Sequence, residues 1–212
     1  MSLEISNTFQ KNHIKTILLG NAGVGKTNLI NVSMGKEFKL NESPTLGQNY
    51  SRKTIEYNGK YYTLEIWDTI GQEQLRTINK LFYKNSKIVI FVYDITELKT
   101  FQDLKSWVEE IDSQIGLNNV IKGVIGNKID LYLKEQVNSN EGKKYAESIG
   151  ADFFETSAKS ESPDVILGFM IELMKKYINL KSDNNTNDNK ITLNYATTFK
   201  KRKKNNCCEK SK

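Results

Sequence analysis

An α/β fold, with helices packed on the faces of a mostly parallel sheet, is predicted by the order of apolar segments along the chain. Three observations carry this. From His13 to Ala158 short apolar runs alternate with helical patterns. Two of the runs, Lys87 to Tyr93 (KIVIFVY) and Val120 to Ile125 (VIKGVI), are apolar enough to be buried on both faces. A third pair, Gln48 to Tyr57 and Lys60 to Trp67, is joined by Asn58-Gly59, a dipeptide that accepts the positive φ angles of a tight hairpin turn, so these two strands are antiparallel neighbours.

The elements follow in order. His13 to Gly20 (HIKTILLG) reads as the first strand and Gly25 to Met34 as the helix behind it. The hairpin pair comes next, then the two buried strands, and between these Phe101, Leu104, Val108 and Ile111 recur at helical spacing. Asp152 to Glu155 is a short last strand, which completes six. Val165, Phe169, Leu173 and Tyr177 repeat the helical spacing behind Ser162-Pro163, a cap followed by a first-turn proline. Past Leu180 the pattern stops at SDNNTNDNK, which cannot bury enough surface to offset chain entropy. The expected organisation is an N-terminal extension over 1–12, one domain over 13–180 and a flexible tail over 181–212.

Composition narrows the classes. The chain has 212 residues, 38% of them hydrophobic, with 13 glycines, enough for a sizeable core. Its formal charge is +6, which raises nucleic acid as a partner. The distribution argues otherwise. Residues 1–180 hold 22 basic and 22 acidic side chains, whereas residues 181–212 hold nine basic and three acidic. The excess is a property of the tail, and nucleic acid is not expected as a partner. Cys207 and Cys208 are adjacent and almost terminal, which excludes a disulfide scaffold and a Cys-rich zinc site. No apolar run approaches the roughly 20 residues of a membrane-spanning helix. The start MSLEISNTFQ lacks the basic and apolar regions of a cleaved signal.

The stretch Gly20-Asn21-Ala22-Gly23-Val24-Gly25-Lys26-Thr27 fits G-x-x-x-x-G-K-[ST], and it lies between an apolar strand and a helix start, the setting of a P-loop NTPase. Its backbone N–H groups curl around phosphate oxygens and the helix N-terminus adds a favourable field. Lys26 would reach the outer phosphates and Thr27 would ligate Mg²⁺. The bland alternative is a glycine-rich turn that happens to contain Lys and Thr, and the motif alone leaves ATPases, kinases and GTPases open. Asn127-Lys128-Ile129-Asp130, directly after a buried strand, selects among these. The Asp130 carboxylate can accept from the ring N–H and the exocyclic amine of guanine, a donor pair that adenine lacks on that edge. Ser157-Ala158-Lys159 after the last strand pairs with it. Asp68-Thr69-Ile70-Gly71-Gln72-Glu73 follows the strand TLEIW. Asp68 there would hold a Mg²⁺-bound water, Gly71 would approach a terminal phosphate and Gln72 would orient the attacking water.

These motifs, GNAGVGKT, Thr45, WDTIGQE, NKID and ETSAK, stand in the order and approximate spacing of the Ras superfamily of small GTPases, which the chain resembles over about residues 13–180. Within it the chain looks most like the Rab branch, through Trp67, Tyr93-Asp94-Ile95-Thr96, Trp107 and the Cys-Cys tail. The resemblance implies a G domain: a six-stranded sheet with one antiparallel strand, flanked on both faces by five helices, binding GDP and GTP with Mg²⁺. It implies that Thr45 meets Mg²⁺ and the γ-phosphate, that Phe38 packs on the guanine, and that Gln72, Lys26 and Thr45 serve catalysis. It also implies a monomer that meets an exchange factor, a GTPase-activating protein, a GDP-dissociation inhibitor and effectors, as a switch in vesicle trafficking.

The chain departs from the family pattern at LGQNY after Thr45, where Rabs usually show something close to IGVDF. It departs again at Ile70, at Gln74-Leu75, and at Ala22, whose methyl would crowd an incoming arginine finger. Arg52, Arg76 and Arg202 are its three arginines, and none lies between Phe38 and Thr45, so slow intrinsic hydrolysis is expected. A GTP-binding scaffold with little hydrolysis is the alternative. Lys200-Lys201-Arg202-Lys203-Lys204 beside Cys207 and Cys208 has the layout of a polybasic stretch next to lipidated cysteines, implying attachment to the cytoplasmic face of an intracellular membrane with cycling through the cytosol. His13 reads as a surface residue, and Phe82, Tyr83, Phe101 and Trp107 as core.

Overall fold

The structure, a computed structural model, describes residues 12–40, 49–68 and 80–186. Among these residues six strands form one sheet: β1 (Asn12–Leu19), β2 (Asn49–Tyr57), β3 (Lys60–Asp68), β4 (Ile88–Asp94), β5 (Ile121–Asn127) and β6 (Asp152–Glu155), in the order β2-β3-β1-β4-β5-β6. All neighbours are parallel except β2 and β3, which pair antiparallel from Asn49 opposite Asp68 to Tyr57 opposite Lys60. Asn58 and Gly59 close that hairpin with φ of 52° and 70°, the primed turn expected of the dipeptide.

The helices are α1 (Lys26–Ser33), α2 (Lys80–Tyr83), α3 (Leu98–Gln102), α4 (Leu104–Ile115), α5 (Ser139–Ser148) and α6 (Pro163–Thr186). Their two-sided arrangement explains the unbroken apolar runs. Along β4, Ile88, Ile90 and Val92 point into one core with Leu29 of α1 and Met170 and Met174 of α6. The alternate residues Val89, Phe91 and Tyr93 point into a second core with Leu104, Trp107 and Ile111 of α4 and Ala146 of α5. Tyr83 and Trp107 are core residues as expected, while Phe82 and Phe101 are partly buried against the same cluster.

The apolar series from Phe101 to Ile111 keeps its helical spacing across the turn at Asp103, whose backbone is itself helical and which divides α3 from α4. Two helical expectations are corrected. On α6 the buried face is Ile166, Met170, Leu173, Met174 and Ile178, so Leu173 is core while Val165 is 43% exposed and Phe169 and Tyr177 sit at the margin. The same helix runs to Thr186, past the Leu180 at which regular structure was expected to stop. Helix α5 has no apolar stripe, since Gly142 and Ala146 are its buried residues. It is announced by its start: Asn138 accepts from the Glu141 N–H, and the Glu141 carboxylate accepts from the Asn138 N–H, a capping box. Among the described residues no helix is long and apolar enough to cross a membrane.

This topology gathers the C-terminal ends of the parallel strands along one edge. β1 lies between β3 and β4, so the order reverses at β1 and a crevice opens beyond its C-terminus.

Candidate functional site

The glycine loop fills that crevice, running from the end of β1 into α1. Gly20 passes so close to β4 that a Cβ there would collide with the Val92 carbonyl, and Gly25, at φ 97°, caps α1 where a Cβ would strike the Asn127 amide. Lys26 is buried, and its Nζ donates to the carbonyls of Gly20 and Asn21, each at 2.8 Å. Burial lowers its pKa to about 8, partly opposed by the charge of Asp68. Thr27 Oγ1 donates to Asp68 Oδ2 at 2.8 Å, joining the start of α1 to the buried carboxylate that ends β3. Val24 is buried, whereas Ala22 and Gly23 face outward.

The second half of the site stands beyond β5 and β6. Asn127 is 1% exposed, and its amide ties three segments: Nδ2 donates to the Val24 carbonyl of the glycine loop at 2.7 Å, and Oδ1 accepts from the Ala158 N–H at 3.2 Å. Ser157 Oγ donates to Asp130 Oδ1 at 2.6 Å and accepts from the Lys159 N–H at 3.1 Å. The Lys159 ammonium stands 4.0 Å from Asp130 Oδ2. An oriented carboxylate is thereby set at a fixed distance from an N–H-lined loop with a buried cation, an arrangement suited to a ligand with a phosphate end and a base end.

The Ras family model matches residues 15–179, a range that takes in the glycine loop and the loops at 127–130 and 157–159. The chain belongs to the Ras family of small GTPases. Its relatives include Rab proteins. It is 41% identical to Ras-related protein Rab-22A of Homo sapiens over 147 residues, covering 69% of this chain and 75% of the relative. It is 40% identical to Ras-related protein Rab-1A of Dictyostelium discoideum over 156 residues, 74% and 76% of the two chains. Ras-related protein Rab-8B of the same organism is 34% identical over 197 residues, 92% of this chain and 93% of its own length. This GTPase is therefore Rab-like, with the six-stranded P-loop sheet of that family.

The remaining residues singled out in the sequence divide into two groups. Lys128, in a left-handed conformation at φ 71°, sends its ammonium to Asp94 Oδ2 at 2.6 Å. Phe38 is half-buried against the core beneath α1, and Asn28 pins its segment by bonding the carbonyl and N–H of Lys39. Thr45, Gly71, Gln72, Cys207 and Cys208 lie outside the described residues. Asp94 and Asn28 were not singled out in advance for this site, although a carboxylate ending the all-apolar strand β4 is a readable signal. Asp94 also accepts from the Thr96 N–H and hydroxyl, so it is fully engaged behind Lys128. His13 is exposed and pairs with Glu65.

Proposed function

We propose that this GTPase binds GDP and GTP with Mg²⁺, hydrolyses GTP slowly and works as a membrane-attached switch in vesicle trafficking. The observation that carries the reading is the Asn127 amide, which binds the phosphate loop at Val24 to the base loop at Ala158 and so sets one against the other. Phosphates would take the N–H groups of Gly20 to Thr27 and the Lys26 ammonium, whose present partners are carbonyls of the same loop. Asp130, oriented by Ser157, would accept from the guanine edge, with Phe38, Lys128 and Lys159 bordering the base.

A hydroxyl and a carboxylate, Thr27 and Asp68, are hard oxygen donors of the kind Mg²⁺ takes. No cluster of three or more His, Cys, Asp or Glu occurs among the described residues, so the donor set fits an ion held jointly by protein and phosphates better than an all-protein cage. Thr27 and Asp68 would hold Mg²⁺ there, and the ion would supply charge neutralisation at the outer phosphates. Thr45 would add a further oxygen, with Asp68 acting through water. Gln72 would orient the attacking water and Gly71 would follow the γ-phosphate. Arg52 stacks on Tyr50 and pairs with Glu65 on the sheet, so it is engaged away from the phosphate loop, in keeping with slow hydrolysis. One observation favours a scaffold with little turnover: Ala22 is exposed in the phosphate loop, where its methyl would meet an incoming arginine.

The test is retention and single-turnover hydrolysis of GTP against ATP. GTP should be held, released as GDP and phosphate over many minutes, and ATP should wash off; equal retention of the two would sink the guanine reading. Asp130→Asn should move the preference toward xanthine nucleotides, whose carbonyl replaces the exocyclic amine. No phosphate over hours from bound GTP would favour the scaffold.

The part of residues 181–212 beyond the end of α6 at Thr186 is proposed as the membrane tail, with lipids on Cys207 and Cys208 beside the basic run, and residues 13–180 with the rest of α6 as the nucleotide domain acting as a monomer toward exchange factor, GTPase-activating protein, GDP-dissociation inhibitor and effectors. Each basic residue near an anionic surface contributes about 1 kcal/mol, so stable residence on an intracellular membrane needs the lipids as well. A Cys207→Ser, Cys208→Ser protein distributed in cells as the wild type would refute the lipid anchor.

A further inference from the structure

The side chain of Asn21 takes no part in the loop's own hydrogen bonds. It reaches across to the turn between α3 and α4, where Nδ2 donates to Asp103 Oδ2 at 2.7 Å and Oδ1 accepts from Trp107 Nε1 at 3.0 Å. The chemistry allows one arrangement. An indole N–H only donates and a carboxylate only accepts, so the group between them must do both, and the amide of Asn does. Asp103 is held in turn by Lys99, and Trp107 is 1% exposed within the core of α4. One turn further along α4, Glu110 accepts from the Tyr83 hydroxyl of α2 at 2.8 Å. The carbonyl of the same Asn21 accepts from Lys26 Nζ. The buried lysine is thus tied, through one residue, to a helix on the second face of the sheet.

We infer that Asp103 and Trp107 are positioning residues of the phosphate loop: acting through the Asn21 amide, they fix the carbonyl that Lys26 bonds and so set how tightly nucleotide is held. The inference rests on the nucleotide reading above. It goes beyond it by assigning a role to α4, which touches no nucleotide in that reading.

The donor and acceptor pattern supplies a test in which three proteins of four satisfy both bonds at position 21. Asp103→Asn keeps the pattern, because the carboxamide oxygen it introduces still accepts from Asn21. Asn21→Asp destroys it, because two carboxylates then face each other. Combining the two restores it, because the carboxylate introduced at position 21 accepts both from Trp107 and from the new amide at position 103. The full-length proteins are loaded with a fluorescent GDP in excess Mg²⁺, and its release into unlabelled GDP is timed. Release should quicken about tenfold or more in Asn21→Asp, the size of one lost buried bond with like charges opposed. It should stay within about twofold of wild type in Asp103→Asn, and return to that range in the double variant.

A general loss of packing would not be repaired by a second substitution, so the rescue separates positioning from mere stability. If Asn21→Asp does not fold, a folded double variant with slow release still supports the inference, and a double variant that also fails overturns it. Wild-type release from Asn21→Asp, release from the double variant as fast as from Asn21→Asp, or fast release from Asp103→Asn overturns it. Failure of the wild type itself to retain GDP overturns the nucleotide reading instead, before any substitution is compared.

Discussion

The two ends of the glycine loop are shaped by backbone, with Gly20 pressed against the Val92 carbonyl and Gly25 in a left-handed conformation against Asn127. The loops at 127–130 and 157–159 are instead held by hydrogen bonds to side chains, Ser157 Oγ donating to Asp130 and the Ala158 N–H donating to Asn127 Oδ1. The contrast sets how each half responds to change. At Gly20 and Gly25 there is no partial state, because a Cβ at either displaces a neighbouring backbone or amide group. A loop held by individual hydrogen bonds loses them one at a time, at about 1–3 kcal/mol for each buried partner left bare.

The strongest way to break this contrast is Gly25→Ala. The new methyl meets the Asn127 amide and forces a left-handed alanine, so it damages both halves at once. We expect about 3–4 kcal/mol of destabilisation and a nucleotide release at least about a hundredfold faster, read by thermal unfolding and fluorescent GDP release. A variant indistinguishable from wild type would show that the loop has room it is not drawn with. Asn127→Ala comes next. It strips partners from the Val24 carbonyl and the Ala158 N–H without straining any backbone, and about 2–3 kcal/mol should be lost. If the two halves are as coupled as this amide implies, selectivity for GTP over ATP should fall along with affinity. Loss of affinity alone would confine its role to the phosphate side.

Away from the site, Asn138→Ala removes the capping box of α5 and should cost about 1 kcal/mol in unfolding with nucleotide release unchanged. Tyr93→Phe should have the smallest effect at neutral pH. The Tyr93 hydroxyl is buried, has no hydrogen-bond partner among the described residues and lies against Gly126 and Gly142, so its loss should be neutral or slightly stabilising. Its consequence is at high pH. Burial, reinforced by the charges of Glu155, Glu135 and Glu141, raises the pKa of this phenol well above its usual value. A group raised in the folded state contributes stability that is complete below the unfolded pKa of about 10 and is lost as pH climbs above it. The wild type should therefore lose stability more steeply than Tyr93→Phe above pH 10, and parallel unfolding curves would contradict the assignment.

Much of the fold and the site was legible because it is written in period and motif. Each of the six strands was expected within two residues of its observed ends, since β4 is apolar up to Asp94, β5 is mostly so, and Asn58-Gly59 has few other uses. The glycine loop, Asn127 to Asp130 and Ser157 to Lys159 stand where strand ends deliver them. What could not be read is what long-range packing decides. Helix α5 buries a glycine and an alanine and so shows no stripe. Val165 fits the helical spacing of α6 yet lies outside the buried face, which only the partner surface selects. Trp107 was readable as core, while its bond to Asn21, 86 residues away in sequence, was not. Periodicity reports which residues are buried, and it is silent on what a buried polar atom touches.

The position of β1 has a consequence for how the chain is made. Among the described residues β1 is the first strand in sequence, and it sits inside the sheet with β3 on one side and β4 on the other. β2 and β3 can zip together as soon as their turn leaves the ribosome, whereas Ile14, Ile17, Leu18 and Leu19 wait for partners far down the chain and lack their second neighbour until β4 has emerged. The interior strand of the sheet, and with it the glycine loop that follows, is therefore enclosed only by pairings of high sequence separation, the kind of contact that slows folding.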